Sequence, residues 1–233
     1  MDATIIQDSI PRLLHGSVTT IELTTVSVAI GLCLAVPFAM MRTHRNPLLW
    51  MPVYGFNFYF RGTPLLVQIF LIYYGSGQFQ ELLTQTGMWI FFREAWFCAV
   101  LTLTLNTTAY TSEILRGGIE AIPFGEIEAA RACGMSGPLL YRRIILPKAF
   151  RLAWPAYTNE VVFLLQATSL VSIITIMDIT GMARMIASRS FAFYELYITA
   201  AAFYLILVYG VLFVFRKVEY RLSGHLRTPS LIS

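Results

Sequence analysis

Charge is scarce in this 233-residue chain, since only 13% of its residues are charged, against roughly 25% in soluble domains. Hydrophobic residues make up 57% of the chain, and the mean hydropathy is +0.65. This composition excludes an ordinary soluble domain and predicts a polytopic membrane protein. The net charge of +4 is then better explained by cytoplasmic loops than by nucleic acid, for which we expect no binding.

Several kinds of chemistry lack the residues they need. The three cysteines show no CxxC or metal-type spacing, which indicates isolated buried thiols. No GxxxxGK[ST] segment occurs, so this chain has no phosphate-binding loop of its own. His15, His44 and His225 lie outside the long apolar segments, so an intramembrane enzyme would lack a base. The opening MDATIIQDS has no basic stretch typical of a cleaved signal. We therefore expect no catalytic residue, no metal and no cofactor bound by this chain.

Five segments are long and apolar enough to cross a bilayer, which takes about 20 helical residues. We place the five spans near 18–41, 54–74, 95–116, 155–177 and 195–216. Pro37 and Pro64 are each expected to kink their helix locally. Residues 1–17 are predicted to form a surface helix on the outer membrane face. Residues 75–94 are predicted as an outer loop, and 178–194 as an outer connection with a short helix.

Lysine and arginine are divided unevenly between the two sides of these spans. Twelve fall on one side, in the loop after the first span, in the 116–154 loop and in the C-terminal tail, and four fall on the other. Basic residues favour the cytoplasmic side. The sequence therefore predicts one all-α transmembrane domain over residues 1–233, with the N-terminus outside and the C-terminus inside.

The inner loop, 117–154, is too polar to insert and is rich in helix-forming residues. FGEIEAARAC predicts a first short helix, after which Gly134 permits a sharp reversal. Ser136 is expected to cap a second helix that has Pro138 in its first turn and ends at Pro147. The result would be a compact two-helix knob. The residues alone leave open whether it docks on a partner or is a solvated connector.

This loop also carries a recognisable pattern. Glu128-Ala129-Ala130, Gly134 and Ile144-Ile145-Leu146-Pro147 stand at the spacing of the EAA loop in permease subunits of bacterial ATP-binding-cassette (ABC) importers. Further agreement comes from FRGTPLLVQIFLIYYG, TLNTTAYTSEILRGGIEAIPFGEIEAARACG and PAYTNEVVFLLQATSLVSI. Over nearly its whole length the chain resembles the polar amino acid uptake permeases, most closely the M-type subunits of histidine and lysine/arginine/ornithine importers.

The resemblance implies a transport subunit in the bacterial inner membrane, crossing it several times. The implied coupling residues, which would dock on an ATPase, are Glu128, Ala129, Ala130, Gly134, Leu146 and Pro147. ATP and Mg would be bound by that ATPase, present in two copies. The other implied partners are a second, homologous but non-identical permease, the lipid bilayer and a periplasmic protein that delivers the amino acid. Transport would follow alternating access.

Polar side chains within the spans are costly and so suggest function. Gln68 is placed to face a pore or to make a helix–helix hydrogen bond. Glu113 and Arg116, three residues apart, are expected to pair as a brace. On the fourth span Asn159, Gln166 and Ser169 fall within an arc of about 80°, with Glu160 on its flank. The predicted translocation path therefore consists of Gln68, Asn159, Glu160, Gln166 and Ser169. The alternative for Glu160 is a structural brace, in which it pairs with Arg151 or another cation of the inner loop.

The substrate is left open between several classes. The M-type likeness favours histidine, the cationic amino acids or an arginine-derived opine, while neutral or acidic amino acids are the alternative. A channel or secondary transporter independent of ATP is a different class, but no inverted repeat is visible and the inner knob would then have no task.

Overall fold

The computed structural model describes residues 3–222, with side chains from 5 to 221. Its helices are α1 Ala3–Arg42, α2 Pro47–Gly62, α3 Leu65–Gln78, α4 Gln80–Gln85, α5 Trp89–Phe92, α6 Ala95–Glu120, α7 Phe124–Ala132, α8 Gly137–Leu140, α9 Leu146–Ala167, α10 Ile179–Ser190 and α11 Phe193–Leu222. A π-helical turn, Tyr141–Ile145, joins α8 to α9, and a 3-10 segment, Thr168–Ile174, continues α9. All regular structure between residues 3 and 222 is helical, which confirms the predicted all-α class.

Within residues 3–222, three helical segments are long and apolar enough to cross a membrane: Ile5–Arg42, Gly137–Ile174 and Phe193–Arg221. They contain the first and fifth predicted spans and most of the fourth. The third predicted span lies in α6, whose 26 residues reach about 39 Å. Buried threonines run along this helix, which lowers its hydropathy. The count of five spans and the orientation therefore stay predictions.

The first helix is longer than expected. α1 runs for 40 residues, about 60 Å, without a break between residues 17 and 18. The separate surface helix predicted for residues 1–17 is therefore wrong over the described part, 3–17. Packing on α10 explains the difference, because Leu13 is fully buried with Ile179 and Ala183. Gly16 allows this approach, since a Cβ there would lie 2.8 Å from the Asp178 backbone.

The second predicted span, 54–74, is two helices rather than one kinked helix. α2 ends at Gly62 and α3 begins at Leu65, with Thr63 extended between them (φ −114°, ψ 146°). A residue that precedes proline is pushed out of the helical region, and proline has no N–H to continue the helix. Pro64 therefore breaks the helix completely, whereas Pro37 lies inside the continuous α1.

At the other end of the inner loop, Pro147 does not end a helix as predicted. It lies in the first turn of α9, directly after the π-helical turn, where the Leu146 N–H donates to the Tyr141 carbonyl. In an α-helix the proline ring would meet the carbonyl four residues earlier. The wider π turn accommodates it. The chain from Gly137 to Ile174 is consequently helical throughout.

α6 is the central helix and packs on α1, α9, α3 and α2. The inner loop is joined to these helices by an apolar cluster, which we call the coupling-end cluster. Its fully or nearly fully buried members are Ala35, Ala39, Leu115, Ile119, Ile122, Ala130, Leu140, Ile145, Ala149 and Ala153. Because the cluster draws from α1, α6 and α9 as well as the loop, the loop is packed against the spans and is not a loose connector.

Two adjacent glycines test how closely α6 and α9 must approach. A Cβ on Gly118 would lie 2.6 Å from the Ala149 carbonyl oxygen, whereas one on Gly117 would meet nothing within 4 Å. We expect Gly118→Ala to force the helices apart and to destabilise the protein by about 1–3 kcal/mol. Gly117→Ala should be neutral or slightly stabilising. Thermal unfolding in detergent measures both, and equal melting temperatures for the two variants would contradict this packing.

Candidate functional site

One buried amide side chain, that of Gln68, hydrogen-bonds the backbone at the break between α2 and α3. Gln68 is 1% exposed, and its Nε2 donates to the Phe60 carbonyl at 2.8 Å and to the Thr63 carbonyl at 3.1 Å. Its Oε1 accepts from Asn106 Nδ2 of α6 at 3.0 Å. Carbonyls freed by the break need such partners inside a membrane. The structure therefore places Gln68 in the helix–helix contact, the alternative to a pore-facing position.

Glu160 lies at a cavity of about 320 Å³ between α6 and α9. The cavity is lined by Asn106, Tyr110, Glu160, Phe163, Leu164 and Ala167. Glu160 is 9% exposed. Arg151 lies nine residues away, about 14 Å along the helix. The cavity falls at the small end of the range of small-molecule sites and carries a carboxylate, an amide and a phenol. We call it the Glu160 cavity.

The other predicted path residues lie elsewhere on the same helix. Gln166 and Ser169 line a second cavity of about 370 Å³ on the α11 side, together with Tyr204, and Asn159 is exposed. Six residues at 100° each rotate Gln166 by 240° from Glu160, so the two cannot share a face. The structure therefore separates Glu160 from Gln166 and Ser169, and a role for each in transport stays a prediction.

A cluster of charged and polar side chains joins α1, α2 and α6. Glu113 accepts hydrogen bonds from Arg42 Nε at 2.9 Å, Asn57 Nδ2 at 2.8 Å and Arg116 Nε at 2.7 Å. The predicted pair of Glu113 and Arg116 is confirmed. Arg42 and Asn57 extend the brace to two further helices, and nothing in their local sequence indicated this partnership. We call these four residues the Glu113 cluster.

The reversal in the inner loop depends on Gly134. Its φ is +81°, a left-handed conformation that favours glycine. The Gly134 N–H donates to the Arg131 carbonyl and the Met135 N–H to the Ala130 carbonyl, which is the Schellman arrangement of a helix end. The predicted turn at Gly134 is confirmed. Ser136 stands at the start of α8 as predicted, but its side chain makes no capping hydrogen bond.

Residues 124–147, the coupling segment, have two different sides. Ala130, Leu140 and Ile145 are buried in the coupling-end cluster. Glu128 and Ala129 are exposed, as is Phe124 at 67%. Leu146 is partly buried, Pro147 is exposed, and Lys148 pairs with Glu126 of α7. One side therefore holds the segment to the spans while the other presents polar and apolar groups outwards.

This arrangement has counterparts among known proteins. The profile of the family described as "Binding-protein-dependent transport system inner membrane component" matches residues 27–224. The chain belongs to this family. The predicted resemblance to importer permeases is thereby confirmed, and the protein is a membrane transport component.

Curated relatives of this permease are similar over most of their length. It is 48% identical over 227 residues to the nopaline transport system permease protein NocM of Agrobacterium fabrum, covering 97% of this chain and 94% of that protein. It is 45% identical to the octopine transport system permease protein OccM of Rhizobium radiobacter, covering 99% and 94%. It is 41% identical to the histidine/lysine/arginine/ornithine transport system permease protein HisM of Escherichia coli K12, covering 92% and 90%.

Solved structures agree with the fold. A crystal structure of an amino acid ABC transporter with histidines superposes on this permease with a TM-score of 0.82 at 32% identity, covering 95% of this chain and 99% of that one. The inward-facing MetNI methionine ABC transporter gives a TM-score of 0.72 at 19% identity, covering 91% and 97%. At that identity the second likeness concerns the fold alone.

Several polar residues that the structure places at or near the candidate site were not identified from the sequence. Asn106 and Tyr110 line the Glu160 cavity, and a signal existed for Asn106, since an amide in an apolar helix needs partners. Asp178, which was also not identified from the sequence, is fully buried. Its carboxylate accepts hydrogen bonds from the Gly181 N–H and from the Tyr204 hydroxyl, both at 2.8 Å. Burial raises the pKa of this carboxyl, and both hydrogen bonds oppose the rise by stabilising its charged form.

The helix break generates a prediction about Gln68. Gln68→Leu removes the donor to two carbonyls and the acceptor of Asn106, and buried groups left without partners cost about 1–3 kcal/mol. We expect a lower melting temperature of the detergent-purified permease. Gln78→Leu, at the exposed end of α3, is the matched control and should change it little. An unchanged melting temperature for Gln68→Leu would show that these carbonyls find other partners.

Proposed function

We propose that this permease carries a cationic amino acid or an arginine-derived opine across the bacterial inner membrane, through the Glu160 cavity. In this proposal the chain crosses the membrane five times, with its N-terminus outside. It pairs with a second, non-identical permease and receives substrate from a periplasmic binding protein. It makes and breaks no covalent bond itself, since ATP and Mg belong to the partner ATPase.

The buried carboxylate of Glu160 carries the substrate part of the proposal. An acidic side chain within a membrane helix is expensive, because its charge is removed from water. A cationic ligand in the same cavity would offset this cost, because its charge would be paired in a low-dielectric site. The substrates in the names of the relatives, nopaline, octopine, histidine, lysine, arginine and ornithine, support a substrate of this kind.

The two different sides of the coupling segment support the part of the proposal that concerns coupling to ATP hydrolysis. Its exposed residues, including Glu128 and Ala129, are available for docking in a groove of the ATPase. Its buried residues, including Ala130, belong to the same cluster as Ala35 of α1 and Ala149 of α9. Closure of two ATPase copies would therefore move the spans directly. Alternating access requires such a connection between two global states.

Uptake by the reconstituted importer tests the substrate class. We expect labelled arginine or histidine to accumulate in proteoliposomes, and Glu160→Gln to lower that uptake at least tenfold, a difference of about 1.4 kcal/mol. Glu22→Gln, which alters an exposed carboxylate on α1, is the control and should transport normally. Preferential uptake of a neutral or acidic amino acid by the wild type would overturn the proposal in favour of that class.

A glycine pair tests the coupling segment. At φ +81° an alanine side chain costs roughly 1–2 kcal/mol, so Gly134→Ala should loosen the reversal and misalign the segment. We expect the importer to assemble but to transport less substrate per ATP hydrolysed. Gly125→Ala adds the same methyl group to α7, where it meets nothing within 4 Å. The ratio of uptake to ATP hydrolysis should fall only for Gly134→Ala, and a fall in both or neither would contradict coupling through this turn.

A further inference from the structure

The geometry around Tyr110 assigns a role to Arg61. We propose that the Arg61 guanidinium binds the carboxylate of the substrate, while Glu160 binds its cationic group. This inference rests on the proposed function and makes it more specific. The permease would then recognise a ligand by two opposite charges rather than by one.

Arg61 reaches the cavity through Tyr110. It stands in the last turn of α2, just before the helix break, and its carbonyl accepts from the Tyr110 hydroxyl at 3.5 Å. The guanidinium lies 5.4 Å from the centroid of the Tyr110 ring, and Tyr110 lines the Glu160 cavity. The Arg61 side chain itself lines a separate cavity of about 330 Å³ together with Arg42 and Glu113. Tyr110 is therefore the residue through which this positive group contacts the Glu160 cavity.

The structure also indicates that Arg61 is available for a ligand. Its ion pair with Glu113 is long, at 4.0 Å, and the side chain is 45% exposed. Glu113 is already neutralised by Arg42 at 2.9 Å and Arg116 at 2.7 Å. A third arginine at that distance adds little to the pairing of Glu113. Arg61 is thus only loosely paired with the Glu113 cluster, and in this proposal a substrate carboxylate replaces that long ion pair.

The chemistry of the pair favours an amino acid over a simple cation or anion. A guanidinium presents parallel N–H groups that match the two oxygens of a carboxylate. A ligand with only a positive charge would gain from Glu160 but be repelled by Arg61. A ligand with only a carboxylate would be attracted by Arg61 and repelled by Glu160. An amino acid with a cationic side chain offers both groups, separated by a few bonds, within a cavity of about 320 Å³.

Arginine and agmatine separate the two roles, because agmatine keeps the guanidinium of arginine and lacks its carboxylate. We would measure equilibrium binding of each to the purified importer complex without its binding protein. We expect Arg61→Gln to weaken arginine binding by about 10- to 100-fold, the value of a lost charged hydrogen bond. Agmatine binding should be unchanged or tighter, because Arg61 repels a ligand that carries only positive charge. Glu160→Gln should weaken both ligands. Arg61→Lys keeps the positive charge but loses the parallel N–H groups of the guanidinium, so it should weaken arginine binding by a smaller factor.

Arg42→Gln is the matched control, since it removes another arginine beside Glu113 but none from the cavity. It should lower thermal stability and leave the ratio of arginine to agmatine affinity unchanged. Equal weakening of both ligands by Arg61→Gln, or no change in either, would overturn the role of Arg61 alone. A wild-type complex that binds neither arginine, lysine nor histidine would overturn the proposed function and this inference with it.

Discussion

The unpaired carbonyls at the end of α2 impose the constraint on which the site depends. Pro64 stops the helix inside a predicted span, and backbone groups freed there need partners within the protein. Gln68 and Asn106 supply them at the Phe60 carbonyl, at 2.8 and 3.4 Å. The same contacts hold the last turn of α2 against α6. Arg61 and the Tyr110 edge of the cavity are positioned as a consequence of closing the break.

Two backbone features determine the shape of the coupling segment. Gly134 reverses the chain in a left-handed conformation, and the π-helical turn before Pro147 lets the second arm continue as α9 without interruption. Glu160 therefore lies on the same continuous helix, α9, into which the coupling segment leads. Buried alanines at Ala149 and Ala153 let this helix lie close to α6. A displacement at the loop would reach the cavity with little intervening flexible structure.

Much of this could be predicted from composition and residue spacing. The helical class, the turn at Gly134 and the pair of Glu113 with Arg116 all depend on local rules, and all are observed. The errors have a common physical origin in contacts between distant segments. Packing on α10 extends α1 beyond its predicted start, and Gln68 with Asn106 supplies the partners that a complete break at Pro64 requires. A π turn likewise removes the clash that would have made Pro147 a terminator.

The two buried carboxylates show why polarity within a span is not enough to find a site. Glu113 has three short hydrogen bonds, two of them from arginines, so its charge is compensated by the fold. Glu160 is 9% exposed and lies at an open cavity between α6 and α9. Their sequence contexts look alike, since both are single acids on long helices. The difference lies in how far the protein has already neutralised each one, and a carboxylate left incompletely neutralised is the one with free energy to gain from a cationic ligand.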